Sequence, residues 1–119
     1  SWSPKKQFDD GYKLERAYNL TFGEAVEYAK EGRKIARECW NGKGMWVIYD
    51  PGSKGKTLLM FEGSFYKNHG VDECEILPHF DMYTGNSTDR RAMQPGWLAS
   101  QTDMDARDWM IVGFPKETS

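Results

Sequence analysis

The sequence predicts an α+β fold: a single small domain with a mainly antiparallel sheet, one N-terminal helix and one short C-terminal helix. Three observations favour it: one segment has helical spacing, several short segments are rich in aromatic and β-branched residues, and glycine- or proline-rich turns separate them. A chain of 119 residues is typical of one domain that buries a core without disulfides. We expect this domain at residues 21–114, between an amino-terminal arm (1–20) and a tail (115–119).

The segment TFGEAVEYAKEG, which begins at Thr21, predicts the N-terminal helix. Thr21 and Glu24 have the spacing of a capping box, in which each side chain bonds the backbone N–H of the other residue. Apolar residues then recur at helical spacing, and Gly32 is a typical stop. We therefore predict a helix over about residues 22–31.

Two strands follow and predict a hairpin. In RKIAREC (33–39), Lys34, Ala36 and Glu38 alternate with Ile35, Arg37 and Cys39. MWVIY (45–49) is rich in aromatic and β-branched residues. The turn Asn41-Gly42-Lys43-Gly44 joins them, because asparagine and glycine tolerate the positive φ of hairpin turns. TLLMF (57–61) predicts a third strand.

The second half of the chain predicts further short elements. Residues 75–84 are strand-like, although Pro78 restricts them to an edge, a bulge or an interrupted strand. Residues 85–96 are predicted to be a polar, exposed connection. Thr102 and Asp105 have capping-box spacing and predict one short helical turn, after which residues 109–114 return as a strand.

Composition excludes some classes of function. A formal net charge of −2 argues against sequence-independent binding of DNA or RNA, which needs a basic face, but it leaves room for a small anionic ligand. Cys39 and Cys74 lack zinc or redox spacing and are expected to be free thiols. No apolar run is long enough for a membrane span, and no signal-peptide pattern begins the chain, so we expect a soluble, unexported protein.

An enzyme would have to use the histidines. His69 lies in a polar loop and is expected to be solvated. His79 and Asp81 fall on one side of a strand by its period of two, so they could form an acid–base pair, half a metal site, a structural hydrogen-bonded pair or a ligand contact. No third metal ligand, phosphate-binding loop, dinucleotide fingerprint or nucleophile motif is visible.

The tryptophans divide into two groups. Trp46 and Trp109 are flanked by apolar residues, which favours the core. Trp40 abuts the glycine-rich turn, and Trp97 leads into Ser100-Gln101-Thr102-Asp103, so these two indoles suit stacking on a nucleobase beside polar groups that read its edge.

A phosphate would need cations and backbone amides. Arg37, Lys43, Arg90 and Arg91 are the candidate cations, with ordinary loop solubility as the alternative for the last two. Thr102 and Asp103 are expected to open a helix whose amides face an oxyanion. The Asp103 carboxylate would repel phosphate and is assigned to a base or a ribose hydroxyl.

Three stretches resemble a known family: TFGEAVEYAKEGRKIARECWNGKGMWV, PHFDMYT and WLASQTDMDARDW. They are similar to Thoeris anti-defence proteins of the second type, with which phages sequester cyclic ADP-ribose immune signals. The resemblance runs from Thr21 to about Val112. It implies a homo-oligomer, in the family a tetramer, that holds glycocyclic ADP-ribose between subunits without cleaving it and without a cofactor. It also implies action in the cytoplasm of the infected bacterial host.

Some members of the family also bind cyclic di- or trinucleotides, which this sequence leaves open. An enzyme that degrades the same nucleotide through His79 and Asp81 is the main alternative, and an inhibitor that binds an immune enzyme directly is another. The chain departs from the family pattern at Gly96, Asp105 and Arg107. Carried onto matching positions, with Arg90 and Arg91 added as cations, the expected ligand-binding residues are Trp40, Asn41, Gly42, Lys43, Met45, His79, Asp81, Arg90, Arg91, Trp97, Ala99, Ser100, Gln101, Thr102 and Asp103.

Overall fold

The computed structural model describes residues 17–40, 44–85 and 91–113. Most of the expected arm and the whole tail therefore lie outside the described residues. The elements, in chain order, are α1 (Phe22–Lys30), β1 (Ile35–Arg37), a 3₁₀ turn (Glu38–Trp40), β2 (Trp46–Asp50), β3 (Thr57–Leu59), α2 (Phe65–Asn68), β4 (Glu73–Glu75), β5 (His79–Tyr83), β6 (Met93–Pro95), α3 (Gln101–Asp105) and β7 (Trp109–Ile111).

Five strands form one sheet in the order β6-β5-β2-β1-β7, and β3 pairs with β4 in a second, two-stranded sheet. β1 runs antiparallel to both β2 and β7, as β5 does to β6. These observations confirm the predicted α+β class and its mainly antiparallel sheet.

The chain divides into two compact units. Within the described residues, the first unit contains 17–49 and 80–113, and the second unit is Asp50–His79. In neither unit does the structure describe a helix that is long and apolar enough to cross a membrane.

The capping box predicted at the start of α1 is confirmed. The Glu24 N–H donates to Thr21 Oγ1 at 3.2 Å, and the Thr21 N–H donates to Glu24 Oε1 at 2.9 Å. Ala25, Tyr28 and Ala29 are buried, and α1 packs against β1, β7 and α3. The helix thus covers one face of the larger sheet.

The core of the first unit lies under α1. Ile35 is paired with Val47 on β2 and with Ile111 on β7, and all three are buried. Trp109 lies two residues from Ile111 and therefore points to the same face, where it is fully buried. Residues that alternate with these point to the opposite face of the sheet.

Two predicted strands are altered by local geometry. The predicted hairpin of β1 and β2 is present, but β1 ends at Arg37 and a 3₁₀ turn replaces its last residues. The predicted strand over 75–84 is divided into the end of β4 and β5, with Pro78 between them. Proline lacks the N–H that a continuous strand would need.

Two other predictions are wrong. Residues 85–96 are more than a connection, because they contain β6, an edge strand that tolerates Pro95. The second capping box is formed by Ser100 and Asp103, not by Thr102 and Asp105, so α3 begins two residues earlier than its predicted cap implies. Ser100 and Asp103 have the same spacing and each bonds the other's N–H.

The second unit is held together mainly by polar bonds. Ser53 exchanges backbone and side-chain hydrogen bonds with Ile76, at 2.8 Å for Ser53 N–H to Ile76 O and 2.9 Å for Ile76 N–H to Ser53 Oγ. Ser64 caps α2 by accepting from the Lys67 N–H at 3.1 Å. Ser64 is also the single buried residue between positions 50 and 79.

Candidate functional site

A cavity of about 120 Å³ lies in the first unit, on the sheet face that α1 does not cover. Ala36 and Met110 are cross-strand partners, and Trp46 precedes the Val47 that pairs with Ile35, so all three side chains point to this face. The cavity is lined by Ala36, Arg37, Trp40, Gly44, Met45, Trp46, Met110 and Val112. Two predicted ligand-binding residues, Trp40 and Met45, are among them.

Trp46 is placed differently from its prediction. Instead of entering the core it is half-buried on the cavity side, because it alternates with the buried Val47. Its ring stacks on Tyr83, with centroids 4.6 Å apart and planes at 16°. Lys34 Nζ lies 4.5 Å from the centroid of the same ring, within cation–π distance. The core prediction is thus confirmed for Trp109 and wrong for Trp46.

Trp40 belongs both to the cavity wall and to a cluster of three indoles. Its ring centroid is 5.3 Å from that of Trp109 and 6.2 Å from that of Trp97, in edge-on geometry. Trp97 and Trp109 are also 6.2 Å apart. Edge-to-face packing of this kind stabilises aromatic pairs beyond their buried area. The two tryptophans expected at the ligand are therefore brought together, and the core holds them in position.

Arg37 joins two carboxylates from the C-terminal part of the chain. Its Nη1 donates to Asp103 Oδ1 and its Nε donates to Asp108 Oδ1, both at 3.0 Å. The side chains are 16% exposed for Arg37 and 13% for Asp103. The hydrogen bond to Asp108 is the main reason that the pKa of Arg37 is raised, and burial opposes it. The guanidinium predicted to bind phosphate is thus already engaged by two anions.

The Asp103 carboxylate uses both oxygens within the protein. One accepts from Arg37, and the other accepts from the Ser100 N–H at 3.0 Å. Burial acts to raise the pKa of Asp103, but the bonds from Ser100 and Arg37 outweigh it and the pKa is lowered. Asp103 therefore positions the start of α3 and remains ionised.

The other predicted residues of this segment have different surroundings. Ser100 Oγ accepts from the Asp103 N–H at 3.0 Å, so the amide at this position of α3 is already bonded. Gln101 and Thr102 are exposed, and Ala99 is half-buried. The Asp103 carbonyl also accepts from Trp109 Nε1 at 2.8 Å, which ties α3 to the indole cluster.

His79 and Asp81 each make polar contacts within their own unit. In the second unit, His79 Nδ1 lies 2.8 Å from the Leu77 carbonyl, and its Nε2 lies 3.4 Å from Asp50. In the first unit, Asp81 Oδ1 accepts from the Gly96 N–H at 3.0 Å. Arg91 is exposed. The remaining predicted residues, Asn41, Gly42, Lys43 and Arg90, lie outside the described residues.

Sequence reasoning did not identify five residues of the cavity as site residues, one of which is Gly44, assigned only to a turn. Ala36, Met110 and Val112 resemble ordinary core positions, and Trp46 was assigned to the core. The available signal was strand alternation: in WMIV the buried Trp109 and Ile111 alternate with Met110 and Val112, which therefore face the other way.

Comparison with known proteins gives a consistent result. The model of the Thoeris anti-defense 2-like domain matches residues 20–112. The chain belongs to this family. The family assignment places it among phage anti-defence proteins and confirms the resemblance drawn from the three motifs.

A curated relative supports the same Thoeris anti-defence assignment. The chain is 33% identical over 93 residues to "Thoeris anti-defense 2" from Bacillus phage SP01. The alignment covers 78% of this chain and 94% of the relative. Nearly the whole length of the relative is therefore matched by this chain.

Proposed function

We propose that this Thoeris anti-defence protein binds a cyclic ADP-ribose isomer, glycocyclic ADP-ribose, and sequesters it without cleaving it in the cytoplasm of the infected host. The observation that carries the proposal is the cavity lined by Trp40, Gly44 and Trp46. Indole rings suit an adenine base, which gains roughly 1–3 kcal/mol by stacking on an aromatic side chain. Lys34 supplies a cation beside Trp46 for a phosphate.

The size of the cavity supports a ligand that is shared between subunits. Ligand pockets commonly enclose about 300–1,000 Å³, whereas this cavity measures about 120 Å³. A cavity of this size accommodates one ring system and not the whole of glycocyclic ADP-ribose. In a homo-oligomer, which we propose to be a tetramer, surfaces from a second copy would enclose the rest of the ligand. Enclosure is needed because sequestration at low signal levels calls for a dissociation constant near nanomolar, about −12 kcal/mol.

The direct test separates sequestration from catalysis. Purified protein is incubated with excess glycocyclic ADP-ribose, washed and heated, and the released compound is identified by mass spectrometry. We expect to recover the intact compound. Its amount should reach a plateau as the ligand concentration rises, at a level proportional to the amount of protein. A cleaved product, or turnover that exceeds the number of sites, would overturn sequestration and favour an enzyme using His79 and Asp81.

The ligand range is tested in parallel. Cyclic di- and trinucleotides are offered alone and together with glycocyclic ADP-ribose. Competition would indicate that both classes share one site, and simultaneous retention would require a separate site. No retention of any of these compounds would contradict the proposed function, and ligand-free capture of an immune enzyme would then favour a protein-binding inhibitor.

A further inference from the structure

The second unit carries most of the exposed apolar side chains that the structure describes. Among residues 17–40, 44–85 and 91–113, nine large apolar side chains are exposed, and six of them lie between positions 58 and 77. Concentrations of exposed apolar residues mark interaction surfaces. The six are Leu58 (42%), Leu59 (82%), Phe61 (75%), Phe65 (71%), Tyr66 (50%) and Leu77 (66%).

β3 presents an open edge within this unit. It belongs to a two-stranded sheet, so one side of its backbone has no strand beside it among the described residues. The Met60 N–H donates to the Asp72 carbonyl at 2.9 Å, and Leu58 pairs with Cys74 in the same register. In an antiparallel ladder, the alternating residues Thr57 and Leu59 therefore direct their N–H and C=O groups away from β4.

Charge distinguishes the two edges of this two-stranded sheet. β4 carries Glu73 and Glu75, so two β4 strands paired about Cys74 would set these glutamates opposite one another, which is unfavourable. β3 has the sequence Thr-Leu-Leu, and all three residues are exposed. Natural edge strands are usually protected by charge, proline or a bulge. β3 has neither a charge nor a proline, so it is the edge that is free to accept another strand.

We propose that β3 pairs antiparallel with β3 of a second copy of this chain, about a two-fold axis at Leu58. Thr57 and Leu59 would exchange backbone hydrogen bonds with Leu59 and Thr57 of the other copy, giving a four-stranded sheet in the order β4-β3-β3-β4. The pairing is self-complementary, as a two-fold interface requires. It rests on the oligomer in the proposed function and names one of the surfaces that join its copies, independently of the ligand.

The apolar surface of the unit is large enough for such an interface. A whole aromatic side chain has about 150–250 Å² of surface. Scaled by their exposed fractions, the three aromatics and three leucines present roughly 700 Å² of apolar surface. This is comparable with the area of about 800 Å² that each partner buries in a standard interface. Alternation places Leu58 and Leu59 on opposite faces of the paired sheet, so both faces gain apolar contacts across the axis.

The first experiment measures molar mass by light scattering and compares Leu59→Lys with Leu98→Lys. Both leucines are highly exposed, at 82% and 88%, but Leu98 lies in the first unit. We expect Leu59→Lys to weaken self-association at least tenfold and Leu98→Lys to leave it unchanged. If the unmodified chain is a monomer, both this inference and the proposed oligomer fail. If Leu59→Lys keeps the full oligomeric mass, only this surface is wrong.

The second experiment is a disulfide that can form only in the proposed register. In a Cys39→Ser, Cys74→Ser background, Leu58→Cys would place two thiols across the axis, with Cα atoms about 4.5 Å apart, which suits a disulfide. Cys74 must be removed because it pairs with Leu58 within one chain. We expect mild oxidation to give a covalent dimer. Leu98→Cys in the same background should not crosslink, and equal crosslinking of the two variants, or none at position 58, would overturn the pairing.

Discussion

Arg37 shows how the charge of a single side chain can be predicted while its partners in the fold are not. Its charge was visible in the sequence, and so was that of Asp103. Only the fold shows that they are 3.0 Å apart and that Asp108 shares the same guanidinium. Since these residues are 66 and 71 positions apart along the chain, local pattern could not pair them. Lys34, which sequence reasoning passed over, is the described cation beside Trp46.

Removing the Arg37 guanidinium should destabilise the protein. Arg37→Met leaves Asp103 and Asp108 without their shared partner in a poorly exposed site, and we expect a loss of about 1–3 kcal/mol at neutral pH. Chemical denaturation measures it, with the exposed Arg107→Met as the matched control. Equal stability of the two variants would contradict the role given to Arg37.

The same ion pair should impose a pH dependence. The pKa of Asp103 is lowered in the folded state. The contribution of ionised Asp103 to the free energy of unfolding is therefore fully present above the ordinary aspartate pKa of about 3.9. It is lost as the pH falls through the pKa that Asp103 has in the folded state. We expect the stability difference between the unmodified chain and Arg37→Met to shrink below about pH 4. Denaturation series at several pH values test this, and a difference that grows on acidification would count against it.

Lys34 should contribute to ligand affinity through its charge. We expect Lys34→Met to weaken binding of glycocyclic ADP-ribose about tenfold, or roughly 1.4 kcal/mol, and to reduce the salt dependence of binding. Lys30→Met is the matched control, because Lys30 Nζ lies 5.9 Å from the Tyr49 ring and Tyr49 packs against the core. Isothermal titration at two salt concentrations measures both variants. An equal loss in both would show a general charge effect and not a site contact.

At the scale of the element, turns and caps decide where strands and helices begin. The capping box was predicted at the correct residues for α1 but two residues too late for α3. The ambiguity at α3 arises because Ser100 and Thr102 are both acceptable N-caps and each is followed by an aspartate three residues later. Local sequence does not choose between them. Arg37 holds Asp103 and so favours the cap at Ser100.

Two glycines of the first unit should respond oppositely to alanine. Gly44 has a φ of 71°, and a Cβ there would lie 3.0 Å from the Gly85 carbonyl oxygen. We expect Gly44→Ala to destabilise the protein by about 1–2 kcal/mol and to perturb the cavity wall. Gly23 lies in α1 with nothing near its Cβ position, so Gly23→Ala should stabilise by roughly 0.5–1 kcal/mol. Thermal denaturation compares them, and the same sign for both would contradict the argument.

At the scale of the whole molecule, the two units have different means of stabilisation. The buried apolar core lies in the first unit, whereas Ser64 is the buried residue of the second. Since apolar burial is the main source of stability, the second unit should open more readily than the first. This contrast was not predicted, because alternating and apolar segments occur in both.

Hydrogen exchange should reveal this contrast. Backbone amides of β1 are expected to exchange through global unfolding, and those of β4 through local opening at a rate at least tenfold faster. Mass spectrometry of peptides covering Ile35–Arg37 and Glu73–Glu75 measures the two rates. Equal protection would show that the units unfold together.

The sequence by itself determined the α+β class, the capping box of α1, the β1–β2 hairpin and the anti-defence family, because these depend on short-range periodicity, turn chemistry and contiguous motifs. The tertiary structure decided which indole faces the core, which cation remains beside the cavity and which carboxylates neutralise Arg37. These outcomes depend on strand register and on contacts between distant segments. A shift of one residue in register would exchange the faces of Trp46 and Val47, and nothing local in the chain specifies that choice.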